Sequence, residues 1–332
     1  MKSQKIKVGI IGLGRYVPKK VLTNKDLEGM VDTSDEWITT RTGIKERRIA
    51  SALESTSTLA FEAAKEALKK ANLKPEEIEL IIVATITPDM PFPATSCILQ
   101  NMLGAKNAAC FDVSAACAGF VYGLVMAQQF LSNGIYKNAL VIGAEKLSAV
   151  TDWSDRNTCV LFGDGAGAAV LAPVKNGGII ASYLGSAGSL SELLMIPAGG
   201  SKVPTTKDTV ESRLHFIKMR GNEVFKLAVK IMSDAACKVI KQSGLSVEDI
   251  DCFIPHQANM RILDAVARKM KLPQEKIFFN VASYGNMSSA STAVALCEAY
   301  QSGKIKGGSI VVLDAFGAGL VWGSCVIQWQ SQ

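Results

Sequence analysis

Three side chains of this 332-residue chain stand where they could make and break bonds to carbon: Cys117 in FDVSAACAGF, His256 in IPHQAN and Asn286 in SYGNMSSAS. Cys117 follows a short apolar run and opens a long apolar helix beginning near Ala118. A thiol there feels the positive end of the helix dipole and its free N–H groups, which favour the thiolate nucleophile. The small residues Ser-Ala-Ala before it and Ala-Gly after it leave room for a ligand. His256 follows Pro255, where a strand must stop donating hydrogen bonds, so the imidazole sits at a strand end with Gln257 and Asn259 close by in sequence. The other histidine, His215, lies in the charged stretch ESRLHFIKMR and is assigned to an ordinary surface or core position. Asn286 follows Gly285 in a turn that opens a helix of small residues.

A cysteine, a histidine and an asparagine suit two chemistries. In a cysteine hydrolase the histidine is the general base and the asparagine orients it. In a decarboxylating condensation both donate hydrogen bonds to a thioester oxygen that becomes an enolate. Spacing alone leaves the two open.

The elements that must hold these residues alternate between β-branched apolar runs and helical patterns. Residues 6–11, 80–84, 139–142, 168–171, 179–184, 252–254, 310–313 and 322–327 read as buried strands. Residues 58–71, with Ser57 as cap, and 222–242 carry apolar residues at helical spacing. The class is α/β. The chain also repeats itself: Leu73–Ile78 and the strand after it recur as Leu245–Ile250 and the strand leading to His256, Phe111–Cys117 recurs as Phe279–Gly285, and Ala139–Ala144 recurs as Ile310–Ala315. Three matches in the same order predict one unit used twice, with halves 1–175 and 176–332. Their pairing would set the Cys117 loop beside the Gly285-Asn286 loop.

Composition narrows the class further. With 48% apolar residues the chain can bury a large core, and its net charge of +6 is spread without long like-charge runs, which gives no nucleic-acid signature. No stretch is long and apolar enough for a membrane span, and the amino-terminal MKSQKIKVGIIGLG lacks the pattern of a secretory leader, so a cytoplasmic protein is expected. Eight irregularly spaced cysteines without a CxxC pair predict reduced thiols, and two histidines are too few for a zinc site; no metal is expected.

The strings VDTSDEWITTRTGIKERRI, FDVSAACAGF, FGDGAGAAVL, IPHQAN, YGNMSSAS and AFGAGLVWG, in this order over nearly the whole chain, resemble β-ketoacyl-acyl-carrier-protein synthase III of the thiolase superfamily. The resemblance implies a thiolase-like fold, two duplicated halves forming a five-layer α/β/α/β/α sandwich, in a homodimer. It implies a decarboxylative condensation of an acyl-CoA primer with malonyl-acyl-carrier protein that starts fatty-acid synthesis, with coenzyme A entering as substrate thioester and no cofactor. Its nearest rival is a superfamily relative that condenses another primer in secondary metabolism.

Carried onto this sequence, the resemblance makes Cys117 the nucleophile, His256 and Asn286 the decarboxylation pair, and the backbone N–H groups of Cys117 and Ala318 the oxyanion hole. It implies coenzyme A binding by Trp37, Arg41, Arg156 and Asn259; an indole and a guanidinium both stack on a base, and a fork of N–H donors suits phosphate. Leu161, Phe162 and a Phe92 contributed by the partner subunit are implied for the acyl pocket. Arg261, Arg268 and Lys269, on one face of a helix running from about Asn259 to Met270, are where an acidic carrier protein would dock. Two departures stand out: Ala318 where the family more often has glycine, and Met287 where it more often has threonine. The first keeps its N–H; the second raises an altered acyl pocket as an expectation.

Overall fold

The apolar runs fold into two sheets that face each other across a pair of central helices. A computed structural model describes residues 6–330; residues 1–5, the start of the amino-terminal stretch discussed above, and the last two positions lie outside them. In chain order the strands are β1 (Val8–Tyr16), β2 (Lys20–Thr23), β3 (Glu46–Ile49), β4 (Leu80–Ala84), β5 (Ala109–Val113), β6 (Ala139–Lys146), β7 (Asp164–Pro173), β8 (Gly178–Ser186), β9 (Leu194–Met195), β10 (Lys218–Met219), β11 (Cys252–Pro255), β12 (Ile310–Gly317) and β13 (Val321–Gln328). The helices are α1 (Asn24–Glu28), α2 (Asp35–Thr42), α3 (Thr56–Ala71), α4 (Thr95–Leu103), α5 (Gly119–Ser132), α6 (Arg156–Cys159), α7 (Lys207–Glu211), α8 (Gly221–Gln242), α9 (Met260–Met270), α10 (Val281–Tyr284) and α11 (Ser289–Gln301).

The first sheet has the order β1-β7-β6-β4-β5 and the second β8-β13-β12-β11. In both, the inner strand pairs are parallel (β4 with β6, β11 with β12) and the next two pairings are antiparallel. The repeat seen in the sequence is therefore a repeat of topology. β5 has a remnant counterpart: Ile277 forms an isolated parallel bridge with Phe253, and Phe278 N–H donates to the Phe253 carbonyl at 3.0 Å.

Five layers result. Helices α3 and α4 cover the outer face of the first sheet, α5 and α11 lie between the sheets, and α8 and α9 cover the outer face of the second. The central core joins Phe120, Val121 and Leu124 of α5 to Ala293 and Leu296 of α11 and to inward residues of both sheets. Helix α11 is buried on nearly every side, which explains its run of small residues: larger ones would not fit between two sheets.

Several local expectations shift. Most strands run longer than their apolar runs, because the pairing continues through polar residues such as Glu145 and Asp314. Ser55, not Ser57, caps α3; its hydroxyl accepts from Thr58 N–H, whereas Ser57 bonds to Asp89. The two-stranded antiparallel sheet of β2 and β3 was not legible, since KVLT and ERRI are short, charged and lack alternation. It is held by Arg47, whose fully buried guanidinium donates to the carbonyls of Leu22 and Val160 and to Asn24 Oδ1.

Candidate active site

A cavity of about 480 Å³ opens where the ends of β11 and β12 meet the amino-terminal ends of α5 and α11, and Cys117, His256 and Asn286 all line it. The duplication accounts for this: the two central helices begin side by side, each preceded by an equivalent loop.

Cys117 lies in a single 3₁₀ turn, Ala116–Ala118, between β5 and α5. Ala116 has φ +42°, a sparsely populated backbone state for a residue with a Cβ, and only a small side chain fits the bend. Gly317 at the end of β12 passes so near that a Cβ there would stand 2.6 Å from Cys117 N, so glycine is required for the approach. Ala318 follows it in the cavity wall. The expected lowering of the thiol pKa meets an opposing effect. Burial pushes Cys117 up to about 12; the neighbouring Ser288 hydroxyl and the residue's own N–H counter the rise, and the carboxylate of Glu145 adds to it.

His256 is 2% exposed, its main-chain N–H donates to the Asp314 carbonyl at 2.7 Å, and neither ring nitrogen has a hydrogen-bond partner among the described residues. Burial pushes its pKa down to about 3, so the ring is neutral and offers one N–H donor to the cavity. Gln257 is not a polar companion of the ring. Its Nε2 donates to the carbonyls of Pro255 (2.7 Å) and Phe278 (3.2 Å), and its Oε1 accepts from the N–H groups of Asn280 and Val281. It fastens the histidine loop to the approach to Asn286.

Asn286 is pinned by its own main chain: its N–H donates to Leu161 O at 2.8 Å and its carbonyl accepts from Gly163 at 3.0 Å. Its Oδ1 accepts from Ser288 N–H at 2.8 Å, which leaves the Nδ2 amide to meet a ligand. Gly285 before it has φ +63°, and a Cβ there would meet the Leu161 carbonyl at 2.6 Å. Met287 points away from the cavity into a small core with Tyr284, Ala290 and Val294, so the expected effect on the acyl pocket has no structural basis.

At the mouth, Trp37, Arg41, Asn259 and Arg261 line the cavity. Arg41 and Arg156 both lie over the Trp37 ring, with guanidinium carbons 4.8 and 5.0 Å from its centre, although Arg156 itself stands outside the lining and also bonds to Asp32. Asn259 caps α9 and donates to the Arg41 carbonyl at 3.1 Å, which ties α9 to α2. Arg268 and Lys269 lie at the far end of α9, exposed and outside the cavity, with Lys269 paired to Asp234 at 2.9 Å. Leu161 and Phe162 form part of the wall, together with Leu147, Leu194 and Ile217, which the sequence did not single out. Phe92 is 84% exposed and does not reach this cavity. Glu145 was also missed; the available signal was a carboxylate inside the apolar run ALVIGAEK.

The eight cysteines form no disulfide, and among the described residues no three of His, Cys, Asp and Glu converge as a metal site. No helix among them is long and apolar enough to cross a membrane.

Comparison with known proteins places these features. Residues 111–188 match the family model described as 3-oxoacyl-[acyl-carrier-protein (ACP)] synthase III, and residues 240–329 match that of its C terminal part. A protein of Caldanaerobacter subterraneus subsp. tengcongensis named beta-ketoacyl-[acyl-carrier-protein] synthase III is 59% identical over 98% of this chain and 99% of its own. The crystal structure of 3-oxoacyl-[acyl-carrier-protein] synthase III from Aquifex aeolicus VF5 is 49% identical and superposes with a TM-score of 0.90, covering 97% of this chain and 100% of that one. The priming beta-ketosynthase from the R1128 polyketide biosynthetic pathway is 34% identical with a TM-score of 0.91, covering 99% and 98%.

Proposed function

Since the chain belongs to the β-ketoacyl-acyl-carrier-protein synthase III family, we propose that its reaction runs in two steps through an acyl group carried on Cys117. The enzyme is an acyltransferase that condenses an acyl-CoA with malonyl-acyl-carrier protein, the step that initiates fatty-acid synthesis. In the first half-reaction the Cys117 sulfur attacks the thioester carbonyl, the sulfur–carbon bond to coenzyme A breaks, and the thiol proton leaves with coenzyme A. The backbone N–H groups of Cys117 and Ala318 stabilise the tetrahedral oxyanion. In the second, the malonyl carboxylate leaves as CO2, and the electron pair left on carbon is delocalised onto a thioester oxygen that accepts hydrogen bonds from His256 and Asn286. That carbanion attacks the acyl-cysteine carbonyl, the carbon–sulfur bond to Cys117 breaks, and the thiolate released takes up one proton from solvent. Atoms balance without a resident cofactor; coenzyme A enters only as thioester.

One observation carries this reading. His256 is buried, neutral and without a ring hydrogen bond among the described residues, and it shares a cavity with the amide of Asn286 and the thiol of Cys117. A neutral imidazole is a donor that costs no proton, which suits an enolate oxygen better than it suits a hydrolase base held by a carboxamide.

Trp37, Arg41 and Arg156 are proposed to hold the coenzyme A nucleotide, Asn259 to stabilise that mouth, and Arg261, with Arg268 and Lys269 further along α9, to meet the acidic carrier protein. A homodimer is supported by β5, an edge strand with one side unpaired, and by the exposed Phe92, Met90 and Met102 near it. Phe92 would then complete the partner's acyl pocket. A cytoplasmic location fits the reduced thiols. The likeness to a polyketide priming enzyme keeps a second reading, a secondary-metabolite primer, in view.

Intact-mass spectrometry after incubation with a panel of acyl-CoAs, then with malonyl-carrier protein, tests the two half-reactions. The expected sequence is a single acyl adduct on Cys117, then its loss with formation of a β-ketoacyl-carrier protein. His256→Ala should keep the adduct and lose CO2 release. Loss of the adduct with normal CO2 release overturns the division of roles, and the preferred primer decides the pathway.

A further inference from the structure

Glu145 ends the apolar part of β6 with no exposed surface, and its carboxylate is held from two directions. On one side, the loop after β4 presents Thr85 Oγ1 at 3.2 Å, Ile86 N–H at 3.2 Å and Thr87 Oγ1 at 2.6 Å. On the other, Ser289 Oγ, the first side chain of α11, lies 3.0 Å from Oε1 and shares its hydrogen with the Ala84 carbonyl at 2.7 Å. The carboxylate thus joins a loop of the first half to the turn that carries Asn286 in the second.

That turn is built to hold one shape. Ser288 adopts φ +47°, its N–H donates to Asn286 Oδ1, and Met287 N–H donates to Ser291 Oγ at 2.8 Å. The Ser289 main chain rests directly on β6, since a Cβ on Gly143 would meet the Ser289 carbonyl at 2.4 Å. Only two residues, Met287 and Ser288, therefore separate the clamp at Ser289 from the Asn286 amide, and the main-chain N–H of each is already held by a side-chain oxygen of the same segment. Burying a carboxylate is costly, and an apolar residue of similar volume often holds a core equally well. The position calls for a reason other than stability.

We propose that Glu145 is a positioning residue for the malonyl half-reaction, fastening the Asn286–Ser289 turn so that the Asn286 amide and the His256 ring converge on one oxygen. This rests on the assignment of decarboxylation to that pair. Burial raises the pKa of Glu145 itself, against which the donors Thr87, Ile86 and Ser289 favour its charged form; in that form the carboxylate disfavours the Cys117 thiolate. The titratable groups around the thiol are Glu145 from β6 and the neutral His256 at the end of β11.

The test measures the two half-reactions separately in the full chain: acetylation of Cys117 by acetyl-CoA, and CO2 release from malonyl-carrier protein. Ser289→Ala removes one hydroxyl and leaves the carboxylate with its other donors. CO2 release should fall about tenfold or more while acetylation changes little, in keeping with the sensitivity of catalysis to small misplacements. Glu145→Gln should show the same selective loss and, in addition, several-fold faster alkylation of Cys117 by iodoacetamide at mildly alkaline pH, because a negative charge has gone. A loosened fold would also expose the buried thiol, so the faster alkylation counts for the charge in a variant whose urea-unfolding midpoint matches that of the wild type. Equal loss of both half-reactions in Ser289→Ala, or undiminished CO2 release in it, overturns the proposal, and this variant decides if Glu145→Gln does not fold. A wild-type chain that forms no adduct on Cys117, or releases no CO2, would instead overturn the assignment of function.

Discussion

Asn286 donates its main-chain N–H to the carbonyl of Leu161 at 2.8 Å, so the amide proposed for decarboxylation and the wall proposed for the primer are one mechanical piece. The bond crosses between the two halves of the chain. Whatever moves the wall moves the amide.

Gly285 is the residue that lets the two segments come this close. Gly285→Ala should strain a backbone at φ +63° and press a methyl group on the Leu161 carbonyl. Condensation should fall about 100-fold by displacement of Asn286, with a smaller effect on acylation of Cys117. Rapid-quench measurement of the two half-reactions checks this.

Acid should destabilise the fold through His256. Its pKa is 6.5 in the unfolded chain and about 3 when buried, so the unfolded state binds more protons and stability falls as pH drops from about 6.5 toward 3. Full linkage amounts to about 1.4 kcal/mol per pH unit. Urea unfolding near pH 7 and near pH 5 should show the wild type losing roughly 1–2 kcal/mol more than His256→Gln over that interval.

Trp37 holds two guanidinium groups over its ring at the cavity mouth. Trp37→Ala should raise the KM for acyl-CoA about tenfold, the scale of a lost stacking and cation–π contact, while the release of CO2 from malonyl-carrier protein stays close to normal. A fall in kcat with unchanged KM would place the indole in the core and not at the nucleotide. Steady-state kinetics with each substrate varied in turn separates the two.

Met287→Thr should leave primer preference unchanged, because the side chain packs with Tyr284 and Val294 and not in the cavity. Stability should fall by about 2–4 kcal/mol, from the cavity left behind and the buried hydroxyl. Thermal unfolding together with an acyl-CoA panel tests both halves of the statement.

The sequence made the two sheets and the paired loops legible because buried parallel strands are written as continuous apolar runs and the runs recur in order. Ser55, Arg47 and Gln257 were not legible in their roles. Ser55 caps its helix locally, with Ser57 two residues on as an equal candidate in sequence, whereas Arg47 and Gln257 bond to main-chain atoms far away, and no local pattern encodes a partner such as Val160 O or Phe278 O. His256 was chosen partly for its polar neighbours, yet Gln257 faces the backbone; the ring owes its chemistry to burial. Cys117 shows the same limit. A helix start is visible in sequence, whereas the burial that pushes the thiol up and the carboxylate of Glu145 behind it emerge only in three dimensions.

The duplicated topology sets each catalytic position against a twin. Through the repeats, Cys117 corresponds to Gly285 and His256 to Ala84, so the places where a second site related by the duplication would keep its nucleophile and its imidazole hold two of the smallest residues. Gly285 lets the neighbouring Asn286 reach Leu161, and the short Ala84 side chain lies against Gly119 at the start of α5 while its main-chain carbonyl accepts from Ser289. A two-fold scaffold thereby supports a one-sided chemistry, in which one half lends the sulfur and the other the two hydrogen-bond donors.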